Sequence, residues 1–154
     1  MRIISGKYKG RHFDVPRNFK ARPTTDFAKE NVFNILNNIV DFEDMSVLDF
    51  FAGTGSISLE FLSRGCKAVT SVEMDAMHAA HLKKTCAALG DEAWSVVRDD
   101  VFRYIRRCPA AYDLVFADPP YALKELKTIP DLVLNSNLLN QGGVLVFEIG
   151  RAHV

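Results

Sequence analysis

The chain has 154 residues, of which 48% are hydrophobic and 25% charged, an ordinary globular balance that predicts one domain with a substantial core. Lysines plus arginines equal aspartates plus glutamates at 19 each, and no apolar run approaches the roughly 18–20 residues that span a bilayer. No apolar segment precedes a small-residue cleavage site, so a secretory signal is not expected. Cys66, Cys86 and Cys108 are odd in number, widely spaced and without a CxxC pair. That pattern fits reduced thiols in a cytoplasmic protein rather than a disulfide frame or a metal site.

The charge is unevenly placed. Residues 1–30 carry eight bases (Arg2, Lys7, Lys9, Arg11, Arg17, Lys20, Arg22 and Lys29) against three acids (Asp14, Asp26 and Glu30). Such a basic end is the electrostatic footprint expected for a polyanion, and aromatic residues lie among the bases in "GKYKGRHF". "RIISG" and "RHFDV" predict two short strands of a hairpin around "KYKG". A basic, proline-containing loop follows. "TTDFAKENVFNILNNI" then predicts a helix capped by Thr25 or Asp26, with Phe27, Val32, Phe33, Leu36 and Ile39 as its apolar stripe.

From Met45 onward strands and helices alternate. "SVLDFF" predicts a buried strand, "SISLEFLSRG" a helix closed by Gly65, and "KAVTSVE" a second strand. "DAMHAAHLKKTCAALG" predicts a helix capped by Asp75 and ended by Gly90. "AWSVVR", "YDLVFAD" and "GGVLVFEI" predict three further strands, separated by the short helix "VFRYIRRC" and the broken helical stretch "LKELKTIPDLVLNSNLL". This rhythm predicts an α/β fold, a doubly wound and mainly parallel Rossmann-like sheet preceded by a small N-terminal hairpin and helix. Residues 1–44 would form the N-terminal segment and 45–154 the catalytic core of a single domain.

Ligands of such sheets bind at the carboxyl ends of the strands, near the topological switch point. In "VLDFFAGTGSIS", Asp49 stands near the end of the first strand, with Phe51, Gly53 and Gly55 in the turn that follows. Glycines there permit a tight turn and a close backbone approach by a ligand. Glu73 ends the second strand, where a carboxylate can accept hydrogen bonds from both ribose hydroxyls. Asp100, with Asp99 as its competitor, follows the third strand and is placed to reach an adenine amino group. A nicotinamide dinucleotide is the rival ligand, but the third glycine of G-x-G-x-x-G is replaced by Ser58. Asp49 would also repel a pyrophosphate while attracting an amino acid cation. S-adenosyl-L-methionine, which has an amino group and a sulfonium but no phosphate, fits better.

"FADPPY" ends the fourth strand, because paired prolines cannot continue a strand. An exocyclic amino group on a nucleobase is a poor nucleophile, since its lone pair is delocalised into the ring. It becomes competent when a carboxylate and a backbone carbonyl accept its hydrogens and a ring stacks on the base. Asp118, the Pro119 carbonyl and Tyr121 offer those three groups to a base that is unpaired or flipped out.

Together "ISGKYKGRHF", "ARPTTDFAKENVFNIL", "VLDFFAGTGSISLEFLSRG" and "FADPPY" resemble the bacterial RsmD-type guanine-N2 methyltransferases of 16S ribosomal RNA. The resemblance runs in order from residue 3 to about 148. It implies methyl transfer from S-adenosyl-L-methionine to a guanine N2 in 16S rRNA or a small-subunit particle. It also implies that Arg22, Thr24 and Asp26 border the active site, and that Lys7, Lys9 and Arg11 of the hairpin grip RNA phosphates. Members of that family continue beyond the fifth strand, so "EIGRAHV" reads as a shortened tail that leaves this strand an exposed edge.

Two other functions are compatible with parts of the pattern. A DNA adenine-N6 methyltransferase also uses DPPY, although the chain has no room for a separate target-recognition domain. A non-catalytic RNA-binding or assembly factor could keep the fold, although Asp118 and the Gly53/Gly55 turn are intact. Of the remaining features, His78 and His81 beside Lys83 and Lys84 read as a solvated helix face rather than metal ligands. Trp94 would pack at the sheet edge or near the adenine, and "RYIRRC" reads as helix surface.

Overall fold

Strands that are covered on both faces need apolar side chains at successive positions, not at alternate ones. β1 (Ser46–Phe50) and β4 (Tyr112–Ala117) meet that need with "VL-F" and "LVFA", all fully buried. The computed structural model describes residues 1–19, 24–120 and 122–148. Its other elements are α1 (Asp26–Asn37), α2 (Ser56–Ser63), β2 (Ala68–Glu73), α3 (Ala76–Leu89), β3 (Trp94–Arg98), α4 (Val101–Arg107), a 3-10 turn at Leu126–Thr128, α5 (Ile129–Leu134) and β5 (Leu139–Phe147). The strands form one sheet in the order β3-β2-β1-β4-β5, with every pairing parallel. The chain winds outward from β1 to β3, then crosses back to β4 on the other side of β1. The switch point therefore lies between β1 and β4.

Two apolar clusters cover the two faces. Phe33 of α1, Leu59 and Leu62 of α2, and Leu82 of α3 pack with Val47, Val69 and Leu114 on one side. Tyr104 and Ile105 of α4 and Ile129 and Val133 of α5 pack with Leu48, Val72 and Val115 on the other. Neighbouring residues of one strand thus enter opposite clusters, as the period of two requires.

The helix ends follow the sequence closely. Thr25 caps α1 by accepting from the Ala28 amide, and Asp75 caps α3 by accepting from the Met77 and His78 amides. Gly65 and Gly90 adopt positive φ just past α2 and α3, a backbone region open to glycine without steric cost.

Three expectations need correction. The N-terminal hairpin is reduced to a single antiparallel bridge, Arg2 with His12, because residues 5–10 form turns instead of extended strands. The α1 stripe is narrower than its sequence suggests: Phe33 and Leu36 are buried, whereas Phe27 and Ile39 are 76% and 59% exposed. On the same helix Lys29 is fully buried. β5 begins at Leu139 instead of at the glycine pair, and its register against β4 jumps between Tyr112 and Leu114. It forms one edge of the described sheet.

Candidate active site

Register aligns the ends of four strands. Phe50 of β1 stands opposite Val72 of β2 and Ala117 of β4, and Val72 stands opposite Val97 of β3. One residue further along, Arg98, Glu73, Phe51 and Asp118 emerge in a row on adjacent strands. The chemistry-bearing residues of three separate sequence segments therefore share one rim of the sheet.

The turn after β1 is held open by unusual backbone. Phe51, Gly53 and Gly55 all have positive φ (59°, 56° and 85°), and Phe51 does so as a non-glycine residue. A Cβ on Gly55 would lie 2.7 Å from Leu82 Cδ2, so the positive φ favours glycine and any side chain there would also have to displace the end of Leu82. Glu73 fixes the turn from the side: its Oε1 accepts from the Gly53 amide at 2.8 Å and its Oε2 from the Asp75 amide at 3.0 Å. The carboxylate proposed for ribose thus also braces the loop and the start of α3, and each oxygen retains a lone pair for a hydroxyl.

Asp49 is only 1% exposed. Its Oδ2 accepts from Ser58 Oγ at 2.5 Å. Burial pushes its carboxyl up to about 7; the Ser58 hydrogen bond opposes that rise, and the like charges of Asp118 and Glu73 add to it. After β3 the two candidate acids part company. Asp99 is drawn to Arg107 at 3.1 Å and Arg103 at 3.9 Å. Asp100 caps α4 through Oδ1, accepting from the Phe102 and Arg103 amides. Its Oδ2 has no hydrogen-bond partner among the described residues.

At the end of β4, Asp118 is half-buried, Pro119 buried and Pro120 exposed. Burial raises the Asp118 carboxyl above the ordinary carboxylate range. Neither its carboxylate nor the Pro119 carbonyl is hydrogen-bonded to another described residue, so both remain available to a ligand. Tyr121 and Arg22 lie outside the described residues.

The N-terminal segment is bound to α2. Glu60 accepts from the Ile4 and Ser5 amides, while Ser63 Oγ accepts from the Tyr8 amide and donates to the Ser5 carbonyl. Lys7 pairs with Asp91 at 2.9 Å, and Tyr8 donates to the same carboxylate at 2.7 Å. Lys9 and Arg11 are exposed, the Arg11 guanidinium lying over the Tyr8 and Phe13 rings. Thr24 and Asp26 line an open groove of about 550 Å³ with Met1, Phe13 and Val15, and Asp26 lies 3.6 Å from Arg2.

Sequence reasoning missed several partners here. Ser58 in the third glycine position is no vacancy, since it bonds Asp49 and Ser71. Its only sequence signal was the break in the glycine pattern. Nothing in the sequence marked Lys29 as buried. The solvated reading of His78 is also overturned: it is 4% exposed and its ring stands 4.4 Å from that of Phe19. Phe19 also meets His81 edge-on. Trp94 is buried and donates to Ser71. Among the described residues no group of three or more His, Cys, Asp or Glu side chains could hold a metal ion, and no helix is long and apolar enough to cross a membrane.

The family model described as conserved hypothetical protein 95 matches residues 1–153. Ribosomal RNA small subunit methyltransferase D of Escherichia coli K12 is 32% identical over 148 residues, covering 96% of this chain and 74% of that relative. The chain belongs to this RsmD family. Among solved structures, yhhF of Escherichia coli, described as a "putative methyltransferase", superposes with a TM-score of 0.86 at 31% identity. That match covers all of this chain and 84% of the other. SMU.776, a methyltransferase of similar description complexed with SAH, gives a TM-score of 0.66 at 25% identity, over 82% of this chain and 36% of that one. The fold is the Rossmann-like fold of S-adenosylmethionine-dependent methyltransferases.

Proposed function

We propose that this RsmD-family chain transfers a methyl group from S-adenosyl-L-methionine to the exocyclic N2 of a guanine in small-subunit ribosomal RNA. The observation that carries this reading is the pairing of Phe50 with Ala117. It sets Asp118-Pro119 beside the turn Phe51–Gly55, which supports a reading in which an amino group held by the first faces a methyl group held by the second. Residues 1–44 and 45–154 act as one unit in this reading.

S-adenosyl-L-methionine is the cofactor, and it supplies an electrophilic methyl on a sulfonium. The residues of this chain bind and orient. Asp49 takes the ammonium of the methionyl part, the Gly53/Gly55 turn admits it closely, and Glu73 accepts from the ribose hydroxyls. Asp100, through its free Oδ2, accepts from the adenine amino group, and Phe51 packs beside it. The target base lies against Tyr121, with its N2 hydrogens accepted by the Asp118 carboxylate and the Pro119 carbonyl. Those two acceptors draw electron density toward the nitrogen and aim its lone pair at the methyl. With the methyl and the electron-pair acceptor both supplied by the bound cofactor, the surplus N2 proton would pass through Asp118 to water. Arg22, Thr24 and Asp26 border the base, while Lys7, Lys9 and Arg11 contact phosphates.

The test incubates the protein with isotopically labelled S-adenosyl-L-methionine and unmethylated small ribosomal subunits, with RNA-only and DNA reactions alongside. Digested nucleosides are identified by mass. Labelled N2-methylguanosine is the expected product. Labelled N6-methyladenine from DNA would replace the substrate while keeping the cofactor. Tight cofactor binding with no transfer to any of the three would favour an assembly factor.

A further inference from the structure

Ser58, Ser71 and Trp94 come from three elements and meet end to end beneath Asp49. The indole Nε1 of Trp94 lies 2.9 Å from Ser71 Oγ, Ser71 Oγ lies 2.6 Å from Ser58 Oγ, and Ser58 Oγ lies 2.5 Å from Asp49 Oδ2. Ser58 and Ser71 are wholly buried and Trp94 nearly so, so water does not substitute for any link. Register makes the arrangement possible, because Asp49 stands opposite Ser71 on the neighbouring strand and both side chains leave the same face toward α2.

The direction of every proton in this line is fixed by elimination. Indole N–H can only donate, so Ser71 Oγ accepts from Trp94. An ionised carboxylate can only accept, so the single hydroxyl hydrogen of Ser58 points to Asp49. Ser58 Oγ must then accept from Ser71. The result is a one-way line of donors from Trp94 to the carboxylate, each bond polarising the next. Protonation of Asp49 would remove the acceptor at its end and allow both hydroxyls to reverse.

We propose that Trp94, Ser71 and Ser58 are positioning residues that orient Asp49 and keep it ionised for the cofactor's ammonium. The proposal rests on the reading of Asp49 as the ammonium ligand. It assigns a role to a serine that occupies the position of a dinucleotide-fold glycine. Without the line, Asp49 would be a buried carboxylate facing the like charges of Asp118 at the end of β4 and Glu73 at the end of β2. The groups that reach it from α2 and, through Ser71, from β3 are neutral. Donated hydrogen bonds are therefore what favour its charged form.

The experiment measures S-adenosylhomocysteine affinity by calorimetry between about pH 5.5 and 8.5, where a carboxylate with a midpoint near 7 changes charge. Wild type, Asp49→Asn, Ser58→Ala and Trp94→Phe proteins are compared, with thermal unfolding recorded at each pH. In the wild type, affinity falls as pH drops through the Asp49 midpoint. Loss of the Ser58 donor should move that midpoint up by about one pH unit, reducing affinity at pH 7 roughly fivefold and recovering it at high pH. Trp94→Phe, which leaves Ser58 in place, should move the midpoint in the same direction by less. The sole tryptophan supplies a second readout: in wild type its emission should titrate with the same midpoint as the affinity, and in Ser58→Ala, where the link to Asp49 is cut, that titration should be lost. Should Ser58→Ala fail to fold, Trp94→Phe decides alone. An unchanged midpoint in the folded variants, with Asp49→Asn still weakening the affinity, would overturn the relay and spare the site. An affinity unaffected by Asp49→Asn would instead remove the ammonium reading on which the relay depends.

Discussion

The ammonium of Lys29 and the carboxylate of Glu60 lie 3.4 Å apart, and neither side chain is exposed to solvent. Lys29 also donates to the Arg2 carbonyl and, at 3.0 Å, to Ser56 Oγ at the first turn of α2. Desolvation lowers the Lys29 ammonium from its ordinary range, with Glu60 acting against that. One buried cation thus joins the N-terminal segment, α1 and the helix that follows the glycine turn.

Replacing Lys29 by Met should cost about 3 kcal/mol, because Glu60 would be left in the core with its charge only partly compensated. Glu60 keeps the Ile4 and Ser5 amides and Arg64 at 2.9 Å, which places the loss near the lower end for buried pairs. Urea unfolding measures it. A double-mutant cycle with Glu60→Gln should be strongly non-additive.

Asp49→Asn should stabilise the protein while weakening its hold on cofactor. The native carboxyl titrates at about 7, above the ordinary 3.8, so the folded state binds its proton more tightly than the unfolded chain does. Its ionisation therefore erodes stability as pH rises from about 4 to 7, and above 7 the full penalty remains. The amide carries no such penalty and can still accept from Ser58. Thermal unfolding at pH 8 should show a gain on the order of 2 kcal/mol for the variant, shrinking toward pH 4.

Asp118→Asn should reduce kcat by about 10²–10⁴-fold, since an orienting acceptor that sharpens in the transition state is lost. S-adenosylhomocysteine affinity should change little, because in the proposed reading the cofactor is held by residues after β1, β2 and β3 and not by Asp118. Single-turnover methylation alongside cofactor calorimetry separates the two effects.

Lys9→Ala and Arg11→Ala should weaken RNA binding for any sequence and lower the slope of log affinity against log salt by about 0.7–0.9 per lost phosphate contact. Lys7→Ala should lower it less, because the Lys7 charge is already shared with Asp91. Filter binding over a salt series distinguishes the three.

The parallel sheet and its helix caps were legible in the sequence because strand burial, turn glycines and N-cap acids are local signals. Thr25, Asp75 and Gly90 act where their residue types predicted. The N-terminal segment was less legible. Its polar backbone is satisfied by Glu60 and Ser63, more than fifty residues away, and no periodicity reports such a pairing. The same holds for Lys29, whose lysine identity argues for the surface although Glu60 pairs with it in the core. His78 misled in the opposite direction. Neighbouring lysines suggested solvent, but Phe19 from the loop before α1 covers the ring. At the candidate site, position alone marks the strand-end acids, whereas the bracing of Gly53 by Glu73 joins residues twenty apart and leaves no local signal.

The attachment of residues 4–8 to Glu60 and Ser63 also sets an order of events during synthesis. When the first ten residues leave the ribosome, Glu60 and Ser63, which will hold residues 4–8, are still unmade, so this attachment must wait for about fifty further residues. Closing so long a loop is slow relative to forming a helix or a single turn. A newborn chain would thus complete this basic N-terminal surface only after α2 has formed, and, if that surface contacts RNA as proposed, an unfinished chain would be slow to capture nearby ribosomal RNA.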